Sequence, residues 1–202
     1  MDRNESLLTL YSDVQATPVE WLWYPYIAIG KITLLQGDPG DGKSTMMLHL
    51  IAELSKGGKT PDGKHIGRFQ RVIYQCSEDG AGDTIKPRLE SCGADCRNIA
   101  FINEEIYDGL TLDDERLQQA ITTFRPRLVV IDPIQAYIGC DSDLQVAARA
   151  RKLMRRISAL RHSTTPSGFT ATVIICLRSS LNVCISGLRL NARGCRTRLL
   201  SQ

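Results

Sequence analysis

No aspartate or glutamate follows Asp143. Up to that residue the chain holds 14 lysines and arginines against 22 acids, a net −8; beyond it come 11 basic residues and no acid, +11. The overall charge of +3 conceals that division. Apolar runs long enough to cross a bilayer as a helix are absent, so no membrane span is expected. Met1-Asp2-Arg3-Asn4-Glu5 opens without the apolar stretch of a signal peptide, and the cytoplasm is the expected address. Aromatic residues are scarce at 6%, yet both tryptophans, Trp21 and Trp23, fall in one short segment.

What is present fits a globular chain. The 202 residues are 43% hydrophobic and 23% charged, enough for one α/β domain with a true core. Seven cysteines form an odd set without a secretory signal, so reduced thiols are expected. Cys92 and Cys96 have loose metal-ligand spacing but no second pair nearby, and an ordinary helix-end loop is the expected reading. His49 reads as a partly exposed helix residue.

The most specific feature is Gly37-Asp38-Pro39-Gly40-Asp41-Gly42-Lys43-Ser44-Thr45. It follows the apolar run Ile32-Thr33-Leu34-Leu35 and precedes a helical pattern, the context that a P-loop requires. Its four specified positions match by chance on the order of one time in a hundred in a chain of this length, which excludes coincidence as the working explanation. Chemistry explains the pattern. A triphosphate is a dense anion, and backbone N–H groups can ring it where glycines let the main chain approach. Lys43 is expected on the β- and γ-phosphates, and the Ser44 hydroxyl on Mg²⁺. The helix beginning at Lys43 adds its positive end. Asp38 and Asp41 are expected to point outward, away from an anion. Met46, Met47, Leu50, Ile51 and Leu54 form the helical stripe facing a sheet, and Gly57-Gly58 ends the helix.

Further along, Arg71–Cys76, Ile99–Ile102 and Arg127–Asp132 read as strands; Thr84–Ser91 and Leu112–Phe124 read as helices. Leu128-Val129-Val130-Ile131 lacks alternation, as a strand buried on both faces does. Alternating strands and helices predict an α/β fold with a mostly parallel, doubly wound sheet and helices on both faces. A helix with the stripe Val146, Ala150, Leu153, Ile157 and Leu160 and a basic opposite side is expected next. Glu20–Ile27, with its tryptophans and tyrosines, reads as a lid or adapter packing on the core or a neighbouring subunit; a base-stacking platform is the alternative.

Two acids end predicted strands, where open α/β sheets bind ligands. Asp132 fits the carboxylate that holds Mg²⁺ opposite Ser44. Glu78 fits the carboxylate that orients the attacking water. Gln135 is a candidate sensor of γ-phosphate or metal.

Together the P-loop, Gln75-Cys76-Ser77-Glu78-Asp79 and Val129-Val130-Ile131-Asp132-Pro133-Ile134-Gln135-Ala136 resemble the RecA-like ATPases of the RepA-type helicase group, common in phage, plasmid and prophage replication modules. Arg88-Leu89-Glu90 and Gly93-Ala94-Asp95 fit as well. The resemblance covers roughly residues 18–162. It implies a RecA-like core and ATP hydrolysis, with Glu78 activating water, Lys43 on phosphate and Asp132 on Mg²⁺. It also implies a homo-oligomeric, hexameric ring acting on single-stranded DNA, with a neighbour donating a basic finger. The expected division is an N-terminal arm over 1–17, the ATPase domain over 18–162 and an atypical basic tail over 163–202.

The resemblance fades after Leu160. Residues 161–202 hold six arginines, six serines and three cysteines with no lysine and no acid, and Arg178-Ser179-Ser180 stands where the group places its sensor. The expectation is a truncated or out-of-frame tail, a core incomplete at its C-terminus, and doubtful activity for the chain as it stands. A strand over Thr170–Leu177 remains readable. Three functions compete: a DNA helicase-type motor, a non-motor ATP-dependent loader or recombination mediator, and an inactive remnant. A small-molecule kinase fits poorly, lacking an arginine-rich lid. No guanine-selecting Asn-Lys-x-Asp occurs, which leaves ATP as the expected nucleotide.

Overall fold

Parallel strands set the frame for the residues considered below. The computed structural model describes residues 8–38, 40–104, 106, 109–137, 152, 172–177 and 187–189. A hairpin of β1 (Trp21–Trp23) and β2 (Ile27–Ala28) precedes β3 (Ile32–Gln36). Helix α1 (Lys43–Lys56) leads on to β4 (Val72–Cys76), α2 (Lys86–Ser91) and β5 (Ile99–Ala100). Then come α3 (Glu115–Phe124), β6 (Leu128–Asp132), β7 (Thr172–Leu177) and β8 (Gly187–Arg189). Among the described residues the sheet has the order β5-β4-β6-β7-β3-β8, and every pairing in it is parallel. The doubly wound α/β architecture expected from the sequence is the one observed.

Residue type explains the layers. All five residues of β6 are buried, as its unbroken apolar run requires of a central strand. Alternation then sends Val129 and Ile131 to one face, where they meet Leu117 and Ile121 of α3 with Leu112 and Tyr137. Leu128 and Val130 face the other side, against Met47, Leu50, Ile51 and Leu54 of α1. Four of the five stripe residues predicted for α1 are thus buried, while Met46 is only half-buried, beside Trp23 and Tyr26. Leu48, Ala52 and Ser55 are buried too, so α1 is covered on more of its circumference than one stripe. Ser55 shows how: its hydroxyl accepts from Asp95 N at 2.8 Å, and its carbonyl accepts from Asn98 Nδ2 at 2.9 Å, docking the turn before β5 onto the helix. Gly57 caps α1 at φ 74°, and a Cβ there would lie 2.7 Å from the Arg68 carbonyl carbon.

Several boundaries differ from expectation. The strand predicted over Ile99–Ile102 pairs only at Ile99 and Ala100. The helix predicted from Leu112 begins at Glu115, because Asp114 takes the cap position and accepts from Arg116 N at 2.8 Å. The helix predicted from Thr84 begins as a π-helical turn, Ala81–Ile85, closed by Ile85 N donating to Gly80 O at 2.9 Å, before α2. The Trp/Tyr segment packs on its own chain: Leu22 and Ile27 are buried against the α1 layer, and Trp23 stacks edge-on with Tyr26 at 4.9 Å. Two segments of the 163–202 stretch lie in the sheet, β7 between β6 and β3 and β8 at the edge beside β3. The helix expected around Val146–Leu160 lies outside the described residues except Lys152, whose ammonium donates to Asp113 Oδ2 at 3.3 Å.

The Arg116 guanidinium that bonds Asp114 holds this carboxyl below its ordinary range. A depressed acid stabilises the fold above its unfolded pKa, and the contribution is lost as pH falls through the folded value. Asn is also a good cap, so Asp114→Asn isolates the charge. Denaturant unfolding should find wild type more stable than Asp114→Asn at about pH 7, with the gap closing below about pH 4.

Candidate functional site

The loop between β3 and α1 turns tightly at the carboxyl edge of the sheet. Gly40 and Gly42 adopt φ of 87° and 81°, and a Cβ on either would meet no atom within 4 Å. The loop therefore needs glycine for its torsions and keeps open space on that side. Lys43 folds over it: Nζ donates to Gly37 O and to Asp38 O, both at 2.7 Å. A cation thus stands over the loop's carbonyls at the start of α1. Asp38 is exposed, as expected. Asp41 is not turned outward; its Oδ2 accepts from Asp38 N at 2.8 Å. An otherwise orphaned amide explains the difference, and Gly37 makes the room, since a Cβ there would lie 2.9 Å from that oxygen. Pro39 lies outside the described residues.

Ser44 and Asp132 meet across the sheet. Ser44 Oγ donates to Asp132 Oδ2 at 2.8 Å. Asp132 ends β6 with 7% exposure. Tyr74, two rungs back on β4, donates its hydroxyl to the same carboxylate oxygen at 3.2 Å. Strand alternation puts Tyr74, Cys76 and Asp132 on the α1 face, which is why they converge there. The pair supplies hard oxygen donors, the kind Mg²⁺ takes, and its spacing is close to the ~3 Å between neighbouring ligands of such an ion. The residues present fit the metal.

Other predicted positions fall at the same edge. Glu78 lies two residues past β4, which pairs with β6 at Cys76 and Asp132, and is solvent-exposed. Gln135 sits in a 3-10 turn, Ile134–Tyr137, directly after β6 and is half-buried. Thr45 is exposed on the first turn of α1. The sensor region at Arg178-Ser179-Ser180 lies outside the described residues. His49 is exposed, and Cys92 and Cys96 belong to the turn after α2; no cluster of three or more metal-ligating residues occurs among the described residues.

Three features escaped sequence reasoning. Tyr74 was readable only as strand filler, although a hydroxyl on a strand buried on both faces needs a partner. Arg88 bridges the two halves of the site: it pairs with Asp79 at 3.2 Å and donates to Thr45 Oγ1 at 3.3 Å. Its position on the first helical turns after Glu78 was the available signal. The third feature is a buried polar cluster of Gln75, Glu104 and Tyr137. Burial pushes the Cys76 thiol up, so it stays protonated at neutral pH.

A P-loop, a facing strand-end carboxylate and a wholly parallel sheet define a RecA-like P-loop ATPase core. Residues 4–174 match the AAA_25 family, described as an AAA domain, and the chain belongs to that family. It is 31% identical over 119 residues to the DNA repair protein RadA of Mycobacterium tuberculosis (strain CDC 1551 / Oshkosh), covering 58% of this chain and 21% of that protein. The RadA of Halalkalibacterium halodurans is 36% identical over 109 residues, 54% of this chain and 20% of that protein. The chain therefore spans about a fifth of the length of these curated relatives. The crystal structure of the KaiC-like protein PH0186 from Pyrococcus horikoshii OT3 shares the fold, with a TM-score of 0.50 at 18% identity, covering 76% of this chain and 65% of that one. No helix among the described residues is long and apolar enough to cross a membrane.

Removing the Tyr74 hydroxyl leaves the buried Asp132 carboxylate of the Ser44–Asp132 pair short of a donor. Tyr74→Phe should cost about 1 kcal/mol of stability by denaturant unfolding with the circular dichroism spectrum unchanged.

Proposed function

We propose that this chain is a magnesium-dependent ATPase whose cycle works on single-stranded DNA as a helicase-type motor. The observation that carries the ATPase reading is the 2.8 Å contact of Ser44 Oγ with Asp132 Oδ2 beside a P-loop whose lysine overhangs it. Residues Gly37–Thr45, with the Asp38, Gly40, Asp41 and Gly42 amides among them, form the phosphate cradle. Lys43 exchanges its two carbonyl partners for phosphate oxygens, a trade of neutral for charged acceptors that favours the bound state. Ser44 and Asp132 hold Mg²⁺, which when bound neutralises charge on the β- and γ-phosphates. Glu78, exposed beyond β4, orients the attacking water and takes up its proton. Gln135 stands after Asp132 as the group that registers the γ-phosphate. Ring assembly, with a neighbour's basic side chain completing the site, follows from the RepA-type resemblance. A bare monomer is then a slow enzyme, since such a group is worth about 10³–10⁵ in rate.

The printed description of the relatives, DNA repair protein, favours a second reading of the same cycle. In it ATP governs assembly on DNA, as in a loader or recombination mediator, and no strand is unwound.

Hydrolysis measured with and without single-stranded DNA separates these. A motor is stimulated by DNA and unwinds a tailed duplex; a mediator turns over slowly and only assembles. In either case Lys43→Ala and Glu78→Gln should each lower turnover by on the order of 10²-fold. Wild-type protein that neither binds nor cleaves ATP would sink both readings.

A further inference from the structure

Behind the site, on the α3 face of the sheet, lies a polar cluster that the phosphate chemistry does not use. Strand β5 stops pairing with β4 at Ala100, yet the ladder continues by another route. Gln75, 1% exposed, projects its amide toward the departing chain. Its Oε1 accepts from Ile102 N at 2.9 Å, and its Nε2 donates to Ile102 O at 3.1 Å. A side chain here takes the place of a strand partner. The same Nε2 donates to Glu104 Oε1, and Tyr137, 1% exposed, donates its hydroxyl to that oxygen at 2.7 Å. Burial, with Glu104 beside it, raises the Tyr137 phenol, so it remains a neutral donor. Tyr137 is further anchored through its carbonyl, which accepts from Leu112 N at 3.0 Å.

One carboxylate oxygen therefore joins three segments. Gln75 lies three residues before Glu78; Tyr137 lies two residues after Gln135; Glu104 belongs to the loop leaving β5. None of the three side chains reaches toward the P-loop in these contacts. Two of them lie within three residues of Glu78 or Gln135 along the chain. Buried polar groups are costly to leave unmet, so the cluster is satisfied in one arrangement and resists others.

We propose that Glu104 is a positioning residue, whose Oε1 locks the strand end before Glu78 to the turn bearing Gln135. The lock deepens the ATPase reading and rests on it for its effect on turnover, but its mechanical part is independent of any nucleotide. Loosening it should cost rate and not affinity, because the phosphate cradle is built on β3 and α1, outside the lock.

Three variants and two readouts test this. Tyr137→Phe keeps shape and removes one donor. Glu104→Ala removes the shared acceptor. Glu104→Gln keeps an oxygen able to accept both bonds and serves as the conservative rescue. Tyr137→Phe and Glu104→Ala should lower kcat for ATP ~10-fold, with KM changed less than ~2-fold, while Glu104→Gln stays near wild type. In nucleotide-free protein, amide hydrogen exchange over 75–78, 101–104 and 134–137 should quicken together in Tyr137→Phe and Glu104→Ala. Exchange that quickens in one segment alone, a loss carried by KM, or a Glu104→Gln as poor as Glu104→Ala would overturn the proposal. Absence of hydrolysis by wild type would instead remove the ATPase reading, and the exchange pattern would still decide the lock.

Discussion

The contact between Ser44 and Asp132 joins residues 88 positions apart and orders the whole site. It exists only if β3 and β6 run in the same direction and end at the same level. Strand β7 lies between them, in register with both. Parallel pairing in turn demands helical crossovers, and α1 and α3 cover the two faces that such crossovers create. The hydrogen bond is weak beside the burial that positions it. Its importance is geometric, since a slip of one residue would turn Asp132 to the α3 face, away from α1.

Charge is managed around that contact with short-range bonds. Lys43 satisfies loop carbonyls, Asp41 satisfies a loop amide, and Tyr74 shares the carboxylate of Asp132. Arg88 ties α1 to the segment beyond β4 through Thr45 and Asp79. Together these contacts hold the loop and the segment beyond β4 in one arrangement.

Much of this was legible in the residues. The β3–loop–α1 unit is, because glycine spacing, lysine and apolar periodicity agree over a short stretch. Strand β6 is, because Leu128–Ile131 is apolar without alternation and ends in an acid. The short β5 was over-read: Phe101 and Ile102 look like strand, but Gln75 captures Ile102 through its side chain, a tertiary event with no local mark. The start of α3 was over-read too, because three successive acids conceal which one caps. Repulsion from an anion argues for an outward Asp41, but its nearest amide, Asp38 N, draws the carboxylate in. The Glu104–Tyr137 contact joins two loops and carries no spacing rule at all. Strand β7, observed over Thr172–Leu177, was visible as Thr170–Leu177 within a stretch whose composition otherwise differs from the rest.

Calorimetric binding of ATP with magnesium and with chelator, in wild type and Asp132→Asn, bears most directly on the central pair. Wild type should bind more tightly when magnesium is present, and Asp132→Asn should lose most of that gain while keeping its metal-free affinity. Equal magnesium dependence in both proteins would contradict the assignment of Ser44 and Asp132 as one metal-holding unit.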